Sequence, residues 1–179
     1  TLSFAVTDLP ARGLNFNTRL SHRFTSSDYD DHRGEQTGVP LETYQEEYAP
    51  QVEQTAAYIW GTHQVWTLSG SCGMNLLKDE AFDDPDRTTW AAALRDQIFL
   101  FDELFTFVPA VRYDDVSDMG NQWSPKFGLS IKPLDWLIAK GNVGRSFRAP
   151  NFNELYYNHG FVEGNPDLAP ESATSYDAG

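Results

Sequence analysis

The stretch VWTLSGSCGMNL, residues 65–76, repeats with a period of two. Trp66, Leu68, Cys72, Met74 and Leu76 fall on one side, and Thr67, Ser69, Ser71 and Asn75 on the other. Successive side chains of an extended chain point to opposite faces, so this run is a strand with one apolar and one polar face. The same reading holds in LNFNTRLSHRF, residues 14–24, where Leu14, Phe16, Leu20 and Phe24 oppose Asn15, Asn17, Arg19, Ser21 and Arg23. It holds again in WSPKFGLSIK, residues 123–132, where Trp123, Pro125, Phe127, Leu129 and Ile131 alternate with Ser124, Lys126, Gly128, Ser130 and Lys132. No helical period of 3.6 is sustained anywhere, which makes the fold class all-β.

Nine antiparallel up-and-down strands are expected, at residues 2–8, 14–27, 52–61, 64–77, 88–101, 104–114, 123–132, 136–147 and 172–179. Several exceed the usual five or six residues and reach the roughly 9–11 that a tilted strand needs to cross a bilayer. Short connections such as TH, DE and PLD alternate with long ones at 28–51, 78–87, 115–122 and 148–171. Short turns at one end and long loops at the other are the mark of an up-and-down membrane barrel.

Aromatic residues give an independent check. Trp60, Trp66, Phe101, Phe105 and Trp136 lie towards the short turns, and Phe24, Trp90, Tyr113, Trp123 and Phe147 towards the long loops. Two such bands are expected where amphipathic rings sit at the two membrane interfaces. A soluble sandwich burying the same apolar face is the alternative; strand length, loop asymmetry and banding together favour the barrel. An unpaired sheet edge cannot face hydrocarbon, and bacterial barrels have even strand numbers. Nine strands therefore read as part of a larger closed sheet.

Composition narrows the partners. The 179 residues suit one domain, and a formal charge of -13 with only 13 Lys and Arg argues against nucleic acid. The single cysteine, Cys72, lies among small and apolar residues and reads as a packed thiol. No apolar run approaches the roughly 20 residues of a membrane helix, and the residues from Thr1 onward do not read as a charged and apolar leader.

The motif region lies near the end of the chain. FRAPNFNELY at 147–156, GNPDLAPE at 164–171 and SYDAG at 175–179 resemble the signature of TonB-dependent outer-membrane receptors. VRYDDVSDMGNQWSPKFGLSIKP at 111–133 is similar to the same family's Arg-Tyr-Asp strand end followed by a Ser-Pro-Lys strand. The pieces agree in order over residues 88–179. The resemblance implies a barrel of about 22 strands with a plug domain in its lumen. It also implies active import of a ferric siderophore or cobalamin across the bacterial outer membrane, energised through TonB. On this reading residues 1–179 are a partial barrel domain without plug, TonB-contacting region, signal peptide or C-terminal strands. The expected partners are the iron chelate or cobalamin, outer-membrane lipid, TonB and the plug. A passive porin-like channel, or a soluble carbohydrate-binding β domain, is the competing class.

Motif residues are assigned structural work. Arg112, Tyr113, Asp114 and Pro125 belong to the upstream pattern; Arg145, Arg148, Pro150, Glu154, Asn165, Pro166, Pro170 and Glu171 belong to the downstream one. Prolines cannot donate to a ladder and so mark strand exits and loops. Arg145 and Arg148 are expected to pair with Glu154 or Glu171, pinning the base of the loop. Ligand contact is expected at the apical tips, from Tyr29, Tyr44 and Tyr48 in one loop and Tyr156, Tyr157, His159 and Phe161 in another.

Other chemistry finds little support. Asp79, Glu80, Asp83, Asp84 and Asp86 crowd one loop without the spacing of an EF-hand, and read as a solvated acidic loop rather than a calcium site. His22, His32, His63 and His159 are dispersed, so no zinc site is expected. Asp114 and Asp115 are adjacent on a strand and point to opposite faces, unlike a glycosidase pair. No cofactor and no catalytic group is assigned.

Overall fold

The computed structural model of the protein describes residues 2–7, 13–31, 41–79, 84–156, 158–159 and 162–179. The chain runs as β1 (Leu2–Thr7), β2 (Leu14–Asp31), β3 (Leu41–Trp60), β4 (Gln64–Asp79), β5 (Asp86–Leu100), β6 (Phe105–Val116), β7 (Gly120–Leu134), β8 (Leu137–Arg148), α1 (Phe152–Tyr156), β9 (Asn158–His159), β10 (Val162–Glu163) and β11 (Glu171–Ala178). β1 to β8 and then β11 form one nine-stranded sheet in chain order, each strand antiparallel to the next.

Register carries the two faces intact across the sheet. Leu20 pairs with Val52 and Val52 with Cys72; Leu68 pairs with Leu94, Leu94 with Val111, Phe127 with Val143 and Val143 with Tyr176. A slip of one residue at any ladder would exchange the faces. The apolar face is broadly open, with Leu68 57% and Trp90 60% exposed. The polar face is concave and carries the clefts described below.

Prolines mark the ladder's interruptions. The β3–β4 pairing skips Pro50, and the β5–β6 pairing is broken opposite Pro109. The β7–β8 ladder starts at Lys126, directly after Pro125. Each lacks the N–H that the missing rung requires.

Two expected loops are corrected. Residues 28–51 are mostly strand: β2 continues to Asp31, and β3 begins at Leu41 with Asp31 opposite it. The acid-rich, tyrosine-bearing stretch looks like loop by composition, yet it alternates in register, and cross-strand pairing overrides composition. The hairpin thus continues beyond the end of β4, whose Asp79 pairs with Gln45. Residues 115–122 form a tight turn instead of a long loop. Met119 N–H donates to the Val116 carbonyl at 3.0 Å, and Gly120 takes the left-handed φ of 73° that closes it. The strict alternation of short and long connections fails there. At the other end, the β5–β6 turn holds Phe101, Asp102 and Glu103 at φ of 55°, 54° and 67°, three successive non-glycine residues in the left-handed region.

The connection after β8 contains α1 and the small β9–β10 hairpin. Among the described residues, buried apolar side chains are few: Leu77, Ala91 and Val116 on the inner face, with Phe152 and Leu155 on α1. The compact packing of the chain therefore lies inside, where α1 meets the wall.

Candidate functional site

The inner face carries most of the placed cations. One cleft on this face holds about 550 Å³ and is lined by Arg95, Arg112, Asp114, Lys126, Thr67 and Ser69, among others. The small side chains of Ala93, Ala110, Ser124 and Ser146 line it as well. Arg112 grips Asp114 through Nε and Nη2, the shortest contact being 2.7 Å, and Asp114 is only 4% exposed. Their spacing of two residues puts both on one face of β6. Lys126 lies across β8: a Cβ at Gly144 would come within 2.9 Å of its Cγ. A side chain at 144 would oblige Lys126 to shift. Arg95 donates to the Gln97 side chain at 3.2 Å. Neither Arg95 nor Lys126 has a carboxylate partner among the described residues. A neighbouring cleft of about 450 Å³ shares both cations and adds Asn142 and Asp177.

Above these clefts the segment 149–156 folds inward. Asn151 caps α1: its Oδ1 accepts the Glu154 N–H at 2.8 Å, while Glu154 Oε2 accepts the Asn151 N–H at 2.8 Å. This reciprocal arrangement is a capping box, and NFNE carries its signature. Ala149, Asn151, Phe152 and Asn153 share a cleft with Arg23, Gln45, Glu47, Asn75, Leu77 and Arg87, all inward-facing residues of β2 to β5. Leu155 is 1% exposed, with Gly164 so close that a Cβ there would lie 2.7 Å from the Leu155 carbonyl carbon. The Asn165 N–H donates to the Glu154 carbonyl at 2.9 Å.

Arg148 holds Glu154 through Nη1 and Nη2 at 3.0 and 3.1 Å and reaches Glu171 through Nε at 3.2 Å. The Glu154 carboxyl lies below its ordinary value, first because of Arg148 and then because of the Asn151 N–H. The expected pinning is thus placed on Arg148 alone. Arg145 lies on the opposite, outer face, beside Thr174, because three residues separate it from Arg148 on a strand. Among the described residues it pairs with neither glutamate.

The remaining motif residues are structural in placement. Tyr113 packs against Trp123 on the outer face at 4.9 Å between ring centres. Asn165 accepts the Asp167 N–H at 3.0 Å, forming the turn that contains Pro166, and Pro170 directly precedes β11. The Pro150 carbonyl accepts from Arg87 at 2.8 Å.

Tyr44 and Tyr48 are in β3, not in a loop, and they face outward, their hydroxyls donating to Glu46 at 2.6 and 2.9 Å. Tyr29 is in β2 opposite Thr43, and His159 is in β9 opposite Val162. Tyr156 ends α1 and stacks on Phe152 with ring centres 6.4 Å apart. Tyr157 and Phe161 lie outside the described residues, as do Glu80 and Asp83 of the acidic loop. Among the described residues no group of three or more His, Cys, Asp or Glu is placed to hold a metal ion.

Arg87, Asp118, Gln45, Arg95 and Lys126 escape the sequence reading. Lys126 was legible as a polar-face residue, but the lack of a carboxylate partner at Arg95 and Lys126 was not. Arg87 carries no motif at all.

The family described as TonB dependent receptor-like, beta-barrel matches residues 3–179. A vitamin B12 transporter of Vibrio vulnificus is 36% identical over 76 residues, covering 42% of this chain and 12% of that protein. A hemin receptor of Yersinia pestis is 34% identical over 71 residues, covering 35% of this chain and 10% of its own length. The crystal structure of the siderophore receptor PirA from Pseudomonas aeruginosa superposes with a TM-score of 0.77 at 18% identity, over 98% of this chain and 34% of that one. The chain thus spans about a third of that structure, and its matched stretches about a tenth of the curated relatives.

Proposed function

The chain belongs to the TonB-dependent receptor family, matched from residue 3 to residue 179, and from that premise we propose that it forms part of the wall of a receptor importing an anionic iron chelate across the bacterial outer membrane. Energy comes from TonB, and the full-length protein closes this sheet into a barrel of about 22 strands around a plug. Arg95, Arg112 and Lys126 meet the ligand's negative charge on the inner wall, and Tyr156 adds an aromatic contact above them.

The observation that supports this reading is the pair Arg95 and Lys126, standing without carboxylate partners over a cleft of about 550 Å³ in a chain whose formal charge is -13. Cations without a carboxylate partner on a low-dielectric wall attract anions from solution. Tyr44 and Tyr48 face outward and take no part; Tyr29, Tyr157, His159 and Phe161 stay candidate contacts. The stretch similar to a vitamin B12 transporter favours cobalamin as the second reading.

The test is uptake by the full-length receptor in a strain lacking its own receptors, with and without TonB. A ferric catecholate, hemin and cyanocobalamin serve as labelled probes. The expected result is TonB-dependent entry of an anionic probe, reduced about tenfold by Arg95→Gln with Lys126→Gln. Entry of cyanocobalamin alone would replace the anionic reading by the second one. Uptake that persists without TonB would make the barrel a passive channel.

A further inference from the structure

Arg87 is the most enclosed cation among the described ion pairs, with a side chain 8% exposed. Its planar guanidinium spreads donors across two distant parts of the chain. Nε reaches both carboxylate oxygens of Asp118 at 2.8 and 3.0 Å, and Nη2 reaches Oδ2 at 2.6 Å. Nη1 donates to the Pro150 carbonyl at 2.8 Å, and the Phe152 ring centre lies 5.0 Å from Cζ. We propose that Arg87 is a positioning residue that latches the segment Ala149–Tyr156 to the inner wall, making this segment a fixed lip of the lumen and not a gate.

The fork geometry is what makes the latch. Asp118, in the β6–β7 turn, fixes the plane of the guanidinium, and the plane then aims Nη1 at the Pro150 carbonyl. Proline has no N–H, so that carbonyl is the residue's sole backbone hydrogen-bonding group. Lysine at 87 keeps the charge and a contact to Asp118, but its donors share one nitrogen and cannot span both partners. Three further ties reach the segment from other directions. Gln45 Nε2 on β3 donates to Asn153 Oδ1 at 3.1 Å and to Asp79 at 3.1 Å. Arg148 on β8 holds Glu154, and the Asn165 N–H holds the Glu154 carbonyl. Lifting the lip breaks contacts to β3, β5 and β8 at once and strips an enclosed guanidinium of a carbonyl and a ring. Gates are drawn from weakly held segments, and this one is held on three strands.

The test uses the full-length receptor in outer membranes, with Cys72→Ser, Gln45→Cys and Asn153→Cys. Shortening both side chains takes the thiols beyond direct disulfide reach, so a short-spaced bis-methanethiosulfonate bridges them. The latch predicts rapid bridging with Arg87 present. It predicts bridging at least fivefold slower with Arg87→Lys or Arg87→Gln, while the heat-dependent gel mobility of the folded barrel is unchanged. Equal bridging rates in folded receptor overturn the latch.

The fixed lip rests on the proposed transport reading and has its own arm. The bridged receptor is expected to take up, within twofold, whichever of the three labelled probes the unbridged receptor takes up. Uptake that stops on bridging and returns with reductant overturns the fixed lip and makes the segment a gate. Failure of all three probes to enter the unbridged receptor counts against the proposed function, and the bridging rates still decide the latch.

Discussion

Leu94→Arg tests the assignment of the two faces. Leu94 points outward, 39% exposed, between Leu68 and Val111 on the flanking strands. It stands midway on β5 between Trp90 and Ile98, four residues from each. At about 3.3 Å per residue and a tilt near 40°, each lies about 10 Å away along the membrane normal, so Leu94 is central in an apolar band roughly 25 Å tall. Asp96 shares this face two residues away, its Oδ2 accepting from Gln64, and would pair with an arginine at 94. The substitution is therefore made in an Asp96→Asn background, where an arginine on the lipid side at that depth costs about 2–4 kcal/mol, or roughly 30- to 700-fold in the folding equilibrium. Ser69→Arg is the comparator. Ser69 faces inward between Thr55 and Ala93, with no cation directly opposite, and the same substitution there costs no more than about 0.5 kcal/mol. Urea titration of the full-length receptor in phosphatidylcholine vesicles, followed by tryptophan fluorescence, reads both values from the shift in midpoint at constant slope. A Leu94→Arg cost below about 0.5 kcal/mol, or an equal cost at Ser69, would refute the placement of lipid on the apolar face.

Three other expectations follow from local geometry. Gly164→Ala sets a methyl 2.7 Å from the Leu155 backbone, which cannot yield as a flexible side chain would. The expected cost is about 1–3 kcal/mol, read as lost hydrogen-exchange protection over residues 151–156, and unchanged protection would refute the close approach. Glu103→Gly relieves one of three left-handed residues in the β5–β6 turn, and should raise the unfolding midpoint by the equivalent of about 0.5–1 kcal/mol after the unfolded-chain entropy of glycine is subtracted. A lowered midpoint would contradict the turn geometry. Glu154 is held below its ordinary value of 4.5, so the contribution of its ion pair is complete above that value and is lost as pH falls through the lower folded one. Exchange protection over 151–156, corrected for intrinsic rates, should be flat from about pH 7 to 5 and fall below about 4.5; a fall beginning near pH 6 would exclude Glu154 as the group responsible.

The sequence by itself determined the all-β class, the two faces and the region that carries the family's signature. Period-two alternation is a local property, and each strand states its own faces. The capping box in NFNE is equally local, since its two hydrogen bonds join residues three apart. What failed was composition used as a guide to loops. Acids and tyrosines at 28–51 read as loop, but pairing with a neighbouring strand satisfied their backbone, and the hairpin grew. The separation of Arg148 from Arg145 was legible in principle, because their spacing assigns them to opposite faces.

Arg87 belongs to the other category. Its partners Asp118 and Pro150 lie 31 and 63 residues away, and no local pattern encodes a meeting at that separation. The same holds for Gln45 and Asn153, 108 residues apart. Only the curvature and register of the sheet bring β3, β5 and the β6–β7 turn beneath one inward-folded segment. The alternation chooses which side chains face inward; the tertiary structure chooses which of them touch.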